Sequence, residues 1–342
     1  METIGIGLIG CGMIAETYHL PALKECEGIR LVMTCDSNAE RSRLLAEQYG
    51  FEKWCEDYHD VLQNPEIDAV FILTKVNTHK IIAEEAARAK KHIFIQKPIT
   101  DNLEDARELL EIIRENGVHF TVSFMHQYFD ECVKAADILK QDIIGEVQQA
   151  HVWNCTKNPY DTAPYYGGAM LDIGSHGIEL TSALFNSPIK KVLALTFDEK
   201  LAKKNFSEKN ESITGEERYA TLLYQLQSGI KVIHEINWSS PSNISRFQVE
   251  VVGKDASIYI RNPMSENGLA IAEKPEKQDE QSQWKYPEFE KTPFGKRQHQ
   301  IFIDDIRYQR TESVSGEEAY HVLKVLSAAK KSMQSGYWEN VE

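Results

Sequence analysis

Long apolar stretches are missing from this chain of 342 residues. No segment approaches the ~20 consecutive apolar residues that a helix needs to cross a lipid bilayer. The first residues, METIGIGLIGCG, contain neither the basic segment nor the small-residue cleavage site of a secretory signal peptide. The sequence therefore favours a cytoplasmic protein without a membrane segment.

Clusters of basic residues are also missing. The chain has 38 Lys and Arg residues against 52 Asp and Glu residues, which gives a formal net charge of −14 at pH 7. An acidic surface repels nucleic acids and anionic lipids, and no run of Lys or Arg indicates a local exception. We therefore expect neither nucleic acid nor a membrane surface among the partners.

Paired cysteines are absent as well. Six cysteines are scattered singly between Cys11 and Cys155, and none of them forms a Cys-x-x-Cys motif. In a chain of this length such scatter is typical of reduced thiols that pack in the interior. The pattern argues against a disulfide framework or a zinc site, and no metal is predicted.

The first third of the chain alternates regularly between strand-like and helix-like segments. Apolar strand patterns at residues 3–10, 29–36, 68–74, 91–96 and 118–124 are separated by helix patterns. The segment at 68–74 is too continuously apolar to have one face in water, which is typical of a parallel sheet covered on both sides. Residues 1–124 are therefore predicted to form an α/β domain with a doubly wound parallel sheet.

A glycine-rich turn connects the first strand to the first helix of this domain. Gly10, Gly12 and Ala15 form a Gly-x-Gly-x-x-Ala motif, with Met13 and Ile14 at the start of the helix. The first glycine permits a tight turn, the second lets a pyrophosphate approach the backbone, and the alanine lets helix meet strand. The motif alone is weak, because an ordinary strand-to-helix turn can carry it. Its context favours a dinucleotide-binding Rossmann domain.

An acidic residue, Asp36, ends the second strand pattern, where a carboxylate accepts hydrogen bonds from the adenosine ribose. A carboxylate there repels a 2′-phosphate, so NAD is favoured over NADP as the cofactor. Arg41 lies nearby and is a candidate to contact a phosphate, although a solvent-exposed helix residue is the simpler interpretation.

The second part of the chain, residues 125–342, has a different pattern. Long strand patterns joined by hairpin turns predict an α+β domain with an open, mainly antiparallel sheet, and residues 262–293 are predicted to be a long polar loop. The helix at about 315–333 is a candidate to pack back on the first domain. An open sheet needs its second face covered, so we expect a homodimer or homotetramer.

Within this second part, the stretch GGAMLDIGSHGIEL places Asp172 and His176 four positions apart. Three interpretations are open for such a pair: a solvated helix face, half of a metal site, or an acid–base pair. The metal site ranks lowest because no third ligand lies nearby. A helical pair at positions i and i+4 remains a plain structural alternative.

The segments GLIGCGMIAETYHLPAL, TKVNTHKIIAEEAARAKKHIFIQKP and GGAMLDIGSHGIEL, in this order, resemble the glucose–fructose oxidoreductase, inositol dehydrogenase and MocA family. The resemblance covers nearly the whole chain. It implies a Rossmann domain followed by an α+β domain whose sheet often forms a subunit interface. It also implies NAD(P)-dependent oxidation of a secondary hydroxyl, or reduction of the ketone, of a sugar or cyclitol.

The same resemblance implies three catalytic residues: Lys97, Asp172 and His176. A histidine, with a pKa near neutrality, suits the base that takes the hydroxyl proton as the hydride leaves. The lysine donates a hydrogen bond to the same oxygen and stabilises its developing negative charge. The aspartate orients the imidazole or binds a neighbouring substrate hydroxyl.

Two departures from the family pattern concern the cofactor side of the site. Gln96 replaces the acid of the usual Glu-Lys-Pro motif, which puts the orientation of Lys97 in question. Thr74 and Asn77 are expected on the nicotinamide side of the cofactor, although the usual proline between them is missing. His79, one position closer to the asparagine than usual, is expected to pack locally at a helix start.

The substrate-binding candidates are Tyr128 and Tyr165, and Tyr160, Tyr166 and His299 are weaker ones. The sequence therefore predicts an NAD-dependent oxidoreductase that acts on a small polyhydroxylated substrate. The alternative is a non-catalytic regulatory protein that senses NAD(P) or a sugar on the same fold.

Overall fold

A computed structural model describes residues 3–156, 167–196, 217–238, 247–261, 267–275, 277 and 280–342. The chain divides into two compact units. The first unit comprises the chain up to Met125 together with Thr292–Tyr320, and the second comprises His126–Lys291 together with His321–Glu342.

The first unit contains a six-stranded parallel sheet with the strand order β3-β2-β1-β4-β5-β6. Its strands are β1 (Ile4–Ile9), β2 (Ile29–Cys35), β3 (Lys53–Cys55), β4 (Ala69–Ile72), β5 (His92–Gln96) and β6 (Phe120–Ser123). Its helices before β6 are α1 (Leu20–Lys24), α2 (Ala39–Tyr49), α3 (Tyr58–Gln63), α4 (His79–Arg88) and α5 (Leu103–Asn116). The predicted doubly wound parallel sheet is confirmed. The edge strand β3 is not apparent from the sequence because its three residues lack an apolar run.

Helix α8 (Lys296–Tyr308) belongs to the first unit although it lies near the end of the sequence. Its buried residues Phe302 and Ile303 join the core that contains Phe71 and Phe94. The ring of Phe302 stands edge-on to these two rings, with centroid separations of 5.8 and 5.5 Å. The sequence-based boundary at residue 124 assigns this segment to the second domain, because local pattern does not reveal which sheet a helix covers.

Helix α9 (Gly316–Ser335) begins in the first unit and ends in the second. A Cβ atom on Gly316 would lie 2.2 Å from Leu110 Cδ2, so the first turn packs closely on α5. Near the other end, Ser332 Oγ accepts a hydrogen bond from the Ala194 N–H at 2.9 Å. The predicted C-terminal helix therefore forms, and its first turn packs on the first unit.

The second unit contains an eight-stranded sheet with the order β13-β12-β11-β7-β10-β9-β8-β14. Its strands are β7 (Val147–Cys155), β8 (Ile189–Leu195), β9 (Tyr219–Leu226), β10 (Lys231–Asn237), β11 (Phe247–Gly253), β12 (Ala256–Ile260), β13 (Leu269–Glu273) and β14 (Glu339–Asn340). Neighbouring strands are antiparallel except β7 and β10, which are parallel. The predicted α+β unit with a mainly antiparallel sheet is confirmed.

One face of this sheet is buried, and α6 (Asp130–Lys140) and α7 (Ser175–Leu184) pack against it. Side chains on the opposite face, which we call the half-exposed face, include Leu193, Leu223 and Ile233. These three residues are neighbours across β8, β9 and β10. None of the helices in the described part of the chain is long and apolar enough to cross a membrane.

The segment predicted as a long polar loop contains a strand, so this part of the prediction is wrong. The residues Leu269–Glu273 form β13 and pair antiparallel with β12. The Lys285 N–H also donates a hydrogen bond to the Ile271 carbonyl at 2.8 Å. The short apolar run LAIA is enough to add a strand once a neighbouring edge is available, but its polar surroundings hide it in the sequence.

Candidate active site

The glycine turn after β1 has the geometry that its sequence predicts. Gly10 has a positive φ of 100°, and a Cβ there would lie 2.8 Å from the Leu73 carbonyl carbon, so glycine is required. A Cβ on Gly12 would meet no atom within 4 Å, which leaves open space beside the backbone. That space and the N-terminal amides of the following helix fit a bound pyrophosphate.

The helix after this turn starts with residues of contrasting burial. Met13 is exposed, Ile14 is partly buried, and Ala15 is fully buried, as expected for a helix that meets the strand at its alanine. Residues Ala15–His19 then form a π-helical turn before α1. Such turns occur frequently at functional sites.

Asp36 follows β2 and has a structural role that the sequence does not reveal. One carboxylate oxygen accepts a hydrogen bond from the Cys11 N–H at 2.8 Å, and the other accepts one from the Asn38 N–H at 2.9 Å. The carboxylate therefore connects the glycine turn to the end of β2. Two oxygens have about four acceptor positions between them, so ribose hydroxyls can still bind. Burial raises the pKa of the Cys11 thiol to about 12, and Asp36 adds to this rise.

A cavity of about 860 Å³ opens beside this turn. It is lined by Cys11, Gly12, Met13, Glu16, Asn38, Glu40, Arg41, Leu44, Leu45, Glu47 and Gln48. The turn residues and Arg41 thus border one space at the carboxyl ends of β1 and β2. This is where a doubly wound sheet binds a dinucleotide.

Lys97 follows β5 at the carboxyl edge of the same sheet, and a cis peptide bond joins it to Pro98. The Lys97 N–H donates a hydrogen bond to Gln96 Oε1 at 3.0 Å. The amide oxygen of Gln96 therefore accepts the hydrogen bond that the carboxylate of a glutamate at this position could also accept. Unlike a glutamate, Gln96 adds no negative charge beside the lysine. Glutamine in place of the usual glutamate is therefore compatible with an ordered turn at Gln96–Pro98, which we call the lysine turn.

The turn after β4 carries Thr74 and Asn77. Thr74 Oγ1 accepts a hydrogen bond from the Thr78 hydroxyl at 2.8 Å, and Asn77 is exposed in the turn Val76–Thr78. His79 is buried, and its two ring nitrogens lie 3.1 Å from the Thr74 carbonyl and 2.9 Å from the Pro98 carbonyl. His79 therefore joins the turn after β4 to the lysine turn, which is more than local packing.

The segment with Asp172 and His176 belongs to the second unit. Asp172 lies in a π-helical turn, Met170–Gly174, which continues into α7. The Trp238 indole N–H donates a hydrogen bond to Asp172 Oδ2 at 3.1 Å. His176 is only 8% exposed. Most of this segment is buried and Asp172 is partly exposed, so the pair does not form a solvated helix face.

His126 lies beside His176, and its importance is not apparent from the sequence. The two imidazole rings stack with centroids 4.5 Å apart, and His126 also stacks on Phe247 at 4.4 Å. The position of His126 just after β6 is the only sequence signal that could have revealed it. His126 therefore lies between the His176 and Phe247 rings.

The remaining substrate candidates divide into three cases. Tyr128 is buried in the turn His126–Tyr128 of the second unit. His299 is fully buried in the first unit and stacks on Phe71 and Phe94, so it is a core residue rather than a substrate contact. Tyr160, Tyr165 and Tyr166 lie outside the described residues.

Each unit thus brings part of the predicted site together. The first unit holds the glycine turn, Asp36 and Lys97 at the carboxyl edge of one parallel sheet, and the second holds Asp172 and His176 in one buried segment. Among the described residues, no group of three or more His, Cys, Asp or Glu side chains is arranged to hold a metal ion.

These features define the class of a dinucleotide-binding α/β protein with an added α+β unit. Two family models match the chain: "Oxidoreductase family, NAD-binding Rossmann fold" at residues 4–124 and "Oxidoreductase family, C-terminal alpha/beta domain" at residues 136–341. The chain belongs to the Gfo/Idh/MocA oxidoreductase family. Membership supports the enzyme over the non-catalytic alternative.

Several characterised proteins are similar along most of their length. The chain is 25% identical to the myo-inositol 2-dehydrogenase of Thermotoga maritima over 338 residues, which is 96% of both chains. It is 27% identical to the scyllo-inositol 2-dehydrogenase (NAD(+)) of Bacillus subtilis over 337 residues, which is 96% of this chain and 94% of that one. A solved structure of levoglucosan dehydrogenase with NADH and L-sorbose has the same fold, with a TM-score of 0.86, 18% identity and 100% coverage of both chains.

Proposed function

We propose that the protein is an NAD-dependent dehydrogenase that transfers a hydride between the nicotinamide and a secondary hydroxyl or ketone of a cyclitol or sugar derivative. The observation that carries the proposal is the mostly buried segment with Asp172 and His176, in a chain whose Lys97 follows a strand of the sheet that also carries the glycine turn. Relatives similar over nearly their whole length are named as inositol dehydrogenases, and this similarity supports the substrate class.

Lys97, Asp172 and His176 have distinct roles in this proposal. His176 accepts the proton of the hydroxyl group as the hydride leaves its carbon. Lys97 donates a hydrogen bond to the same oxygen and stabilises the negative charge that develops on that oxygen. Asp172, oriented by Trp238, positions the imidazole or binds a neighbouring hydroxyl. The bound dinucleotide supplies the hydride acceptor.

The cofactor preference follows from Asp36. Its carboxylate is held in place by two backbone N–H groups and repels the 2′-phosphate of NADP. Gly10, Gly12, Met13, Ile14 and Ala15 form the pyrophosphate turn, and Thr74, Asn77, Gln96 and Lys97 lie on the nicotinamide side. Arg41 on the wall of the same cavity is the residue that would favour NADP.

Assembly and location complete the proposal. The half-exposed face of the second sheet supports a homodimer or homotetramer. All six cysteines are free thiols, which supports a reducing, cytoplasmic location.

The test is a spectrophotometric screen of inositols and sugars for NADH formation, with Lys97→Met as the control protein. Formation of NADH with at least one polyol by the wild type and not by the variant is the expected result. No turnover with any polyol, in a protein that binds NAD, would favour the regulatory alternative.

A further inference from the structure

Glu217 is a buried carboxylate that neither the sequence nor the proposed mechanism explains. It precedes β9 in the second unit and is only 4% exposed. Burying a carboxylate is unfavourable unless hydrogen bonds and charges compensate. Lys330 is one compensating group: burial lowers the pKa of its amine to about 8, and the attraction of Glu217 opposes that shift.

The hydrogen bonds of Glu217 lead to the start of the segment that carries the catalytic pair. Its side-chain Oε1 accepts a hydrogen bond from the Met170 N–H at 3.0 Å, and its main-chain carbonyl accepts one from the Ala169 N–H at 2.8 Å. The carboxylate also lies where a negative charge stabilises a helix N-terminus. One residue therefore binds two consecutive amides, two and three positions before Asp172.

The glycines before this segment make the contact possible. Gly167 and Gly168 both have positive φ values, 71° and 94°. A Cβ on Gly168 would lie 2.3 Å from Glu217 Oε1, so any larger residue would displace the carboxylate. Glycines have little intrinsic stiffness, and Glu217 supplies the restraint.

A second contact comes from the same end of the β9–β10 hairpin. Trp238 follows β10, and its main-chain N–H donates a hydrogen bond to the Arg218 carbonyl at 2.9 Å, so the hairpin end is closed. Its indole N–H holds the Asp172 carboxylate at 3.1 Å. Glu217 and Trp238 thus hold the segment at its backbone and at its acidic side chain.

We propose that Glu217 is a positioning residue for the reaction: it fixes the backbone of Met170–His176, and Trp238 acts with it on the side chain of Asp172. The inference rests on the proposed function of Asp172 and His176. In this proposal Glu217 and Trp238 act only through Asp172 and His176 and do not touch the reacting atoms. A displacement of about 1 Å in a catalytic group can lower the rate about 10²-fold. Loss of the restraint on this segment should therefore lower kcat.

The test compares Glu217→Ala with Glu217→Gln. We expect Glu217→Ala to lower kcat about 10- to 100-fold and to leave the NAD dissociation constant within about twofold, because the glycine turn is untouched. Glu217→Gln keeps an oxygen that accepts the Met170 N–H and should recover most of kcat. Glu273→Ala, which removes a surface glutamate paired with Lys285, is the matched control and should match the wild type.

A second readout does not depend on turnover. Amide hydrogen exchange of residues 168–176 should be faster in Glu217→Ala and normal in Glu217→Gln and Glu273→Ala. If Glu217→Ala does not fold, Trp238→Phe keeps an aromatic ring, removes the indole N–H and should lower kcat about tenfold with NAD affinity unchanged.

Three outcomes would overturn the inference: a kcat in Glu217→Ala within twofold of the wild type, a loss of NAD affinity parallel to the loss of kcat, or unchanged exchange of residues 168–176. Absence of NADH formation by the wild type on any polyol would instead reject the proposed function. In that case the exchange measurement still decides whether Glu217 restrains this segment.

Discussion

At the scale of single residues, Lys97 and His176 carry the proposed chemistry. Replacing Lys97 by Met removes a preorganised donor, for which we expect a loss of ~10²–10³-fold in kcat. Replacing His176 by Ala removes the base, for which we expect ~10²–10⁴-fold. Neither residue belongs to the glycine turn or to the end of β2, so the NAD dissociation constant should stay nearly unchanged. Steady-state kinetics and calorimetric titration of each variant provide the check.

The double variant and Asp172→Asn sharpen this prediction. In the proposed mechanism Lys97 and His176 act on one oxygen, so the double variant should be little worse than the poorer single variant. Asp172→Asn should be milder if the carboxylate only orients the imidazole, and should raise KM if it binds substrate. Near-normal kcat in Lys97→Met would mean that the turn Gln96–Pro98 is structural and the mechanism is wrong.

The other prediction at this scale concerns Asp36. The wild type should bind NAD more tightly than NADP, because the carboxylate repels a 2′-phosphate. Asp36→Asn removes the charge while keeping an oxygen for the Cys11 N–H, and should improve NADP binding relative to NAD. Calorimetric titration with both nucleotides decides. Equal or tighter NADP binding by the wild type would contradict the preference and make Arg41 a phosphate contact.

At the scale of elements, the π-helical turn Ala15–His19 and helix α8 are joined by a buried histidine pair. His19 Nδ1 and His299 Nε2 are 2.9 Å apart, and His299 Nδ1 lies 2.8 Å from the Gly295 carbonyl. His299 therefore donates to Gly295 and accepts from His19, so both rings are neutral. Burial lowers the pKa of His299 to about 4. Burial also lowers the pKa of His19 well below 6.5, and the neighbouring His299 lowers it further.

This pair should make the fold sensitive to acid. In the unfolded chain these rings take up a proton near pH 6.5, whereas in the folded chain His299 takes one up only near pH 4. The free energy of unfolding therefore falls as the pH drops from about 6.5 to about 4, and these rings do not change it above that range. His299 alone contributes a loss of about 3 kcal/mol by pH 4. Other buried histidines, such as His234, contribute with the same sign.

Urea unfolding from pH 7 to pH 4.5 measures the effect, and the difference between wild type and His299→Gln isolates the pair. The variant should be less stable at pH 7, because the ring that stacks on Phe71 and Phe94 is lost. Its unfolding free energy should nevertheless fall less steeply with acid. Identical slopes would show that the pair remains neutral in the unfolded chain or titrates normally in the folded one.

At the scale of the whole molecule, the half-exposed face of the second sheet is the basis of the assembly prediction. Leu193, Leu223 and Ile233 form an apolar row across three strands of this face. We expect a dimer or tetramer by light scattering at micromolar concentration and a monomer for Leu223→Glu. Ile81→Glu, the same change on an exposed side chain of α4, is the control. A monomeric wild type would reject this interface.

The sequence predicts those features that depend on local pattern. The alternation of strands and helices, the glycine turn and Asp36 are visible because each depends on residues adjacent along the chain. The strand β13 is hidden, since five residues in a polar stretch become a strand only when β12 offers its edge. The segment with Asp172 and His176 is apparent as a motif, but its burial is not.

The sequence by itself determined the family of this protein, its parallel sheet and the choice of the proposed catalytic residues. These follow from hydrophobic periodicity and from the order of motifs, which can be read along the chain. Only the tertiary structure decided that α8 covers the first sheet, that Asp36 binds the glycine turn and that His126 stacks on His176. It also decided that Glu217 and Trp238 bind the segment with Asp172 and His176. The physical reason is that each of these contacts joins residues far apart in sequence. A single buried hydrogen bond leaves no repeating pattern along the chain.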